Sequence, residues 1–97
     1  MTRHSFTNGH VVTPSATLTD ATFTVADGRI VAIDAAADAD AHDLGGGWVM
    51  PGFIDTQVNG GGGVLFNDDV SVEAIAAIGA AHAPFGTTAF LPTLISD

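Results

Sequence analysis

The chain has 97 residues, enough for one small domain, and 46% of them are hydrophobic, an ordinary share for a globular core. Eleven acidic residues stand against Arg3 and Arg29 with no lysine, a formal net charge of −9 that repels phosphate backbones, so no nucleic-acid partner is expected. The lack of cysteine excludes a disulfide framework and a thiolate metal site, and no apolar stretch reaches the roughly 18 residues of a membrane-spanning helix.

Met1-Thr2-Arg3-His4-Ser5 runs into a mixed polar segment, so no signal peptide and no membrane partner are expected, and the expected location is cytoplasmic. Residues 1–50 read as short strands joined by turns. Phe6 to Thr13 is β-leaning, although Asn8-Gly9 interrupts it with the composition of a turn. Ala21 to Val25 alternates small or polar with apolar residues, the pattern of a half-buried strand, and Arg29 to Ile33 is a second strand. Asp27-Gly28 between them is a strong hairpin signal, because glycine supplies the positive φ that such turns require. Asp34 to Asp43 is alanine and aspartate in near alternation and reads as an exposed connection, with a frayed helical turn at most. Gly45-Gly46-Gly47 then breaks the chain before Trp48-Val49-Met50.

The character changes at Pro51. Gly52 to Asn59 is a compact apolar strand whose C-terminal end turns polar, and Gly60 to Gly63 is a loop of four glycines. Ser71 is placed as an N-cap, with Glu73 in the first turn where it complements the helix dipole. Val72, Ile75, Ile78 and Ala81 recur at helical spacing, which predicts a weakly amphipathic helix to about Ala83, stopped by Pro84 and Gly86. Thr87 to Leu91 is a further strand. Strand, helix, strand with a crossover of this length predicts a βαβ unit with parallel strands. Two parallel strands and one helix leave edges and faces uncovered, so residues 51–97 read as the first part of something larger.

Three segments carry a family resemblance. Asp27 to Ile33, then Asp43-Leu44 with the glycine run, then Val49-Met50-Pro51-Gly52-Phe53-Ile54-Asp55 resemble the entry into amidohydrolase-superfamily enzymes. Where that superfamily carries a His-x-His pair, this chain has Gln57-Val58-Asn59. With Gly60-Gly61-Gly62-Gly63-Val64, Phe66-Asn67-Asp68, Gly86-Thr87-Thr88 and Leu91-Pro92-Thr93-Leu94-Ile95, it is similar to one branch of the N-acetylglucosamine-6-phosphate deacetylases. The resemblance implies a portion of a small β-sandwich over residues 1–50. It implies the first β-α-β unit of a metal-dependent (β/α)8 TIM-type barrel over 51–97, an incomplete fold, since such barrels need about 250 residues.

The implied activity is hydrolytic deacetylation of N-acetylglucosamine-6-phosphate, with the fragment alone inactive. Residues two apart in a strand share a face, so Gln57 and Asn59 are expected to project together from the strand's C-terminal end, with Asp55 one step deeper. Barrel enzymes place their active sites at that end. Two carboxamides are weak ligands where two imidazoles would be strong ones. The resemblance therefore implies one divalent metal ion, zinc or similar, held by a glutamate and histidines from later strands. It also implies a later aspartate as the proton-handling group. No catalytic residue and no metal ligand is expected within this chain.

Asp55, Gln57, Asn59, Gly60 and Gly61 are the expected pocket-lining residues. Gln57 and Asn59 also have a simpler reading as caps for strand-end backbone groups. Asp55 either orients a neighbouring group or holds a loop amide, and the glycines either allow close substrate approach or form an ordinary flexible loop. Asn67 and Asp68 read as turn and helix-entry residues, His4, His10, His42 and His82 as surface residues, and Pro92 and Thr93 as bordering the pocket. The expected partner is a small amino-sugar phosphate, with the parent enzyme a homo-oligomer, dimer or tetramer. The competing readings are another amidohydrolase, such as a dihydroorotase or hydantoinase relative, and a truncated non-catalytic module.

Overall fold

A computed structural model of the chain describes residues 2–96. It divides after Pro51 into two compact units. No helix among the described residues is long and apolar enough to cross a membrane.

The first unit holds β1 (Arg3–Val12), β2 (Thr17–Ala26), β3 (Arg29–Ile33), β4 (His42–Asp43) and β5 (Trp48–Val49). They form one sheet in the order β3-β2-β1-β4, with β5 also pairing β1. β1 is antiparallel to β2 and β2 to β3, whereas β4 and β5 run parallel to β1. Of the expected sandwich, the described residues form a single layer.

Asn8-Gly9 is not a turn but a bulge inside β1. Asn8 adopts φ 58°, the pairing with β2 shifts register between Phe6 and Gly9, and β1 continues to Val12. The neighbouring segment fits the irregularity: the Leu44 N–H donates to Thr7 O at 2.9 Å and the Gly46 N–H to Asn8 O at 2.8 Å. Asp43 ties the two together, its Oδ1 accepting from Asn8 Nδ2 and from the Gly45 N–H, each at 2.8 Å.

Alternation gives the sheet two unlike faces. On one, Phe6 stacks on its cross-strand partner Phe23 at 4.8 Å between ring centroids, and His42 stacks on Phe6 at 5.3 Å. This face opens into an apolar cavity of about 260 Å³ lined by residues including Val11, Phe23, Ile30, Ile33 and Val49. On the other face, hydroxyls pair across the strands, Ser5 with Thr24 at 2.9 Å and Thr7 with Thr22 at 3.0 Å. Ser5 and Thr24 are buried, at 3% and 1% exposure. Asp38 is the anchor over this row: its Oδ2 accepts from Ser5 Oγ at 2.8 Å and from Arg3 Nε at 3.0 Å. The expected exposed connection is therefore docked at Asp38, makes one hydrogen-bonded turn in which the Ala41 N–H donates to Asp38 O at 3.1 Å, and ends in β4. The repetitive composition hid this, because only one of its aspartates finds hydroxyl and guanidinium partners.

The second unit holds β6 (Phe53–Val58), β7 (Gly60–Gly61), β8 (Val64–Leu65), α1 (Val72–His82), a single 3-10 turn (Ala83–Phe85) and β9 (Thr87–Pro92). β6 and β9 pair in parallel, as a βαβ unit requires. Ser71 caps α1, its Oγ accepting the Ala74 N–H at 3.1 Å, and Gly86 leaves the 3-10 turn with φ 98°. The buried residues of this unit are Val58, Ala74 and Ile78, at 4%, 4% and 0% exposure. The buried stripe differs from the expected one. Ala74 and Ile78, four apart, face the strands, while Val72 is 77% exposed. Six residues before Ile78, Val72 lies about a third of a turn off its line. The four-glycine loop is likewise part of a regular element: β7 and β8 form a small antiparallel hairpin around Gly62 and Gly63, whose φ values are 59° and 82°.

Two predictions follow from the first unit's geometry. Asp27 and Gly28 form the β2–β3 turn at φ 50° and 77°, and a Cβ on Gly28 would meet nothing within 4 Å. Gly28→Val should therefore lower stability by backbone strain alone, about 1–2 kcal/mol, with Gly28→Asn milder, as measured by denaturant unfolding.

The second concerns acid. The Arg3 guanidinium, then the Ser5 hydroxyl, hold the Asp38 carboxyl below its ordinary 3.8. The Gly45 amide, then the Asn8 side chain, do the same for Asp43. A carboxylate depressed in the folded state stabilises fully above its unfolded value, and that contribution is lost as pH falls through the folded one. The thermal midpoint should be level near neutrality and fall as pH drops below 3.8. In the Asp38→Asn/Asp43→Asn double variant this acid limb should be shallower, read by circular dichroism melts across pH.

Candidate functional site

The candidate residues cluster at the carboxyl end of β6. Asp55 pairs with Phe90 and Val58 with Pro92, so β6 advances three positions where β9 advances two and carries a bulge between them. Alternation holds across Gln57-Val58-Asn59, where Val58 is buried, Gln57 exposed and Asn59 half-buried. Between Asp55 and Val58 the pairing with β9 shifts register within the continuous strand β6. The Asp55 carboxylate turns along its own strand, and its Oδ1 accepts the Gln57 N–H at 3.1 Å.

Asn59 joins the ends of the two parallel strands. Its Nδ2 donates to Thr93 O at 3.2 Å, while the Thr93 N–H donates to Val58 O at 2.8 Å. Asn59 O accepts the Phe66 N–H at 2.8 Å, which closes the glycine hairpin. Asn67, read from sequence as a turn residue, bridges to the segment beyond β9. Its Nδ2 donates to Ile95 O at 2.8 Å and its Oδ1 accepts the Ile95 N–H at 2.9 Å.

His82 corrects a sequence expectation. It is half-buried in the last turn of α1, and its Nε2 lies 2.9 Å from Gly60 O. His10, also expected at the surface, is half-buried and stacks on Trp48 at 4.6 Å. A lone imidazole closing an alanine-rich helix was the one signal for His82, and spacing within the helix gave it no partner. At the opposite end of α1, the Ser71 hydroxyl and amide hold the Asp69 carboxyl below its ordinary value, which fixes the entry to the helix.

The strand end by itself does not fit a metal ion. Gln57 and Asn59 offer neutral carboxamides, Asp55 is engaged by a backbone amide, and no group of three His, Asp or Glu among the described residues gathers closely enough to hold one. What the arrangement supplies is polar side chains and a hairpin backbone held in place. Gly60 is needed there for space, since a Cβ would run into the Val64 carbonyl and lie 3.2 Å from Leu65 Cα. Gly63 needs only its φ of 82°, with nothing within 4 Å. Gly60→Ala should therefore displace the hairpin and destabilise more than Gly63→Ala, whose cost is about 1 kcal/mol of backbone strain. Unfolding free energies of the two variants test that order.

A strand-rich unit followed by one parallel βαβ unit matches the N-terminal part of solved carbohydrate deacetylases, which are a class of hydrolases. Within it, the chain is similar to the N-terminal portion of the N-acetylglucosamine-6-phosphate deacetylases. The crystal structure of the Pasteurella multocida enzyme of that name superposes with a TM-score of 0.89 at 33% identity, over 99% of this chain and 26% of that one. N-acetylgalactosamine-6-phosphate deacetylase of Shewanella sp. (strain ANA-3) is 51% identical over 61 residues, 63% of this chain and 16% of that protein. N-acetylglucosamine-6-phosphate deacetylase of Haemophilus influenzae is 48% identical over 54 residues, 56% of this chain and 14% of that protein. The chain thus spans between about a seventh and a quarter of the relatives it matches. No family model matches it.

Proposed function

We propose that these residues belong to a deacetylase that hydrolyses the acetamide of an N-acetylamino-sugar phosphate, N-acetylglucosamine-6-phosphate first, releasing acetate and the amino-sugar phosphate. The observation that carries the reading is the superposition of nearly the whole chain on the start of an enzyme so named. The carboxyl end of β6 supports it chemically. In (β/α)8 barrels that end of each strand borders the active site. Here it presents Gln57, Asn59 and a glycine hairpin whose backbone a substrate can approach closely.

The remaining chemistry is assigned to residues outside 1–97. Both cationic side chains that stay charged, Arg3 and Arg29, lie in the first unit, and Arg3 is paired with Asp38. The cation that holds the sugar's phosphate, the divalent metal ion and the general acid–base group are therefore read as coming from elsewhere in the enzyme. The 51% identity to a relative named for the galactosamine compound favours a second reading of the sugar. The two substrates differ only in the configuration at C4, and the acetamide cleaved is the same.

A hybrid tests both readings. Residues 1–97 replace the matching segment of the Pasteurella multocida enzyme, and acetate release is followed with each sugar phosphate. The folded hybrid should release acetate from N-acetylglucosamine-6-phosphate, whereas residues 1–97 alone should release none. A folded hybrid inactive on both sugars, or turnover by residues 1–97 alone, would overturn the proposal.

A further inference from the structure

We infer that His82 is a positioning residue for the sugar site: its Nε2–H clamps the Gly60 carbonyl and fixes the glycine hairpin at the carboxyl end of β6. The inference rests on the reading above, in which that strand end borders the substrate. A carbonyl oxygen only accepts, so at 2.9 Å Nε2 is the donor. The neutral ring therefore takes the Nε2–H tautomer, and the doubly protonated ring keeps the same bond.

Packing supports the same role. A Cβ on Gly61 would lie 2.8 Å from His82 Nε2 and 3.1 Å from Cδ2, so the missing side chain is what lets the imidazole reach over the hairpin. One position earlier on the helix, Ala81 lies 3.1 Å from where a Gly62 Cβ would stand. The last turn of α1 and the hairpin are thus in close contact along successive glycines. A two-stranded hairpin is marginal by itself and needs packing from outside. The helix can supply it, because Ile78, four residues before His82 on the same face, is completely buried.

The consequence reaches the candidate site through Asn59. That residue accepts from Phe66 at the base of the hairpin and donates to Thr93 at the end of β9. A hairpin that shifts therefore moves Asn59 and the Gly60-Gly61 backbone together. Displacements of about 1 Å in positioning groups are enough to cost large rate factors.

The test compares His82→Ala with His82→Gln, whose amide nitrogen stands as many bonds from Cα as Nε2. In the hybrid enzyme described above, His82→Ala should lower kcat/KM for acetate release roughly tenfold, and His82→Gln should recover most of the loss. In the 97-residue chain itself, the Phe66 amide should exchange its hydrogen faster in His82→Ala than in His82→Gln. Nitrogen NMR of the wild-type ring should show a proton on Nε2. Wild-type kcat/KM in His82→Ala, or a His82→Gln variant that folds but is no better than His82→Ala, would overturn the inference. If the wild-type hybrid releases no acetate, the proposed function fails. The clamp is then decided by Phe66 exchange and the ring's protonation, and unchanged exchange in His82→Ala sinks it.

Discussion

Parallel pairing of β6 with β9 is the constraint on which the candidate site depends. Parallel neighbours cannot be joined by a tight turn, so the chain must leave the end of β6, cross over as a helix and return. That single requirement brings three separated stretches to one place. The glycine hairpin follows β6 directly, the last turn of α1 comes back beside it with His82, and Thr93 arrives at the end of β9 against Asn59. The bulge between Asp55 and Val58 adjusts this pairing locally. Ile78, Ala74 and Val58 lock the crossover in place by burial, and the polar contacts are arranged around that apolar centre.

The first unit obeys a different constraint, the separation of a sheet into two faces. Aromatic residues occupy one and hydroxyls the other, and the hydroxyl face is the one that holds the fully buried polar pair. Ser5 and Thr24 tolerate burial because each satisfies the other and Asp38 accepts from Ser5. No buried side-chain polar atom among the described residues lacks a partner. The aspartates of this unit thus serve the fold: Asp38 anchors a connection and Asp43 ties a bulge to a glycine turn.

Local signals were legible in the sequence wherever one short stretch decided the outcome. Asp27-Gly28 set a turn because the needed φ values are a property of those two residues. Ser71 set a helix start because a cap acts within three residues, and Pro84 with Gly86 set its end. The strand–helix–strand order of residues 52–92 followed from composition and length. The stretch from Asp55 to Gly61 stood out as a candidate site through the family resemblance, in which Gln57 and Asn59 stand where a His-x-His pair is expected.

Contacts between distant stretches were decided by the tertiary structure alone. That Asn8-Gly9 is a bulge depends on the segment from Asp43 to Gly47 lying beside it. That Ala74 rather than Val72 is buried depends on which face of α1 meets the strands, a choice that a weakly amphipathic sequence does not make. That His82 reaches Gly60 depends on a crossover closing over twenty-two positions. By itself the sequence determined the Asp27-Gly28 turn, the caps of α1 and the order of the longer elements, since these are governed by the conformational preferences of a few adjacent residues. The tertiary structure decided the register, the buried helix face and the partners of Asp38, Asn59 and His82, since hydrogen bonds and burial act between groups that only folding brings within reach.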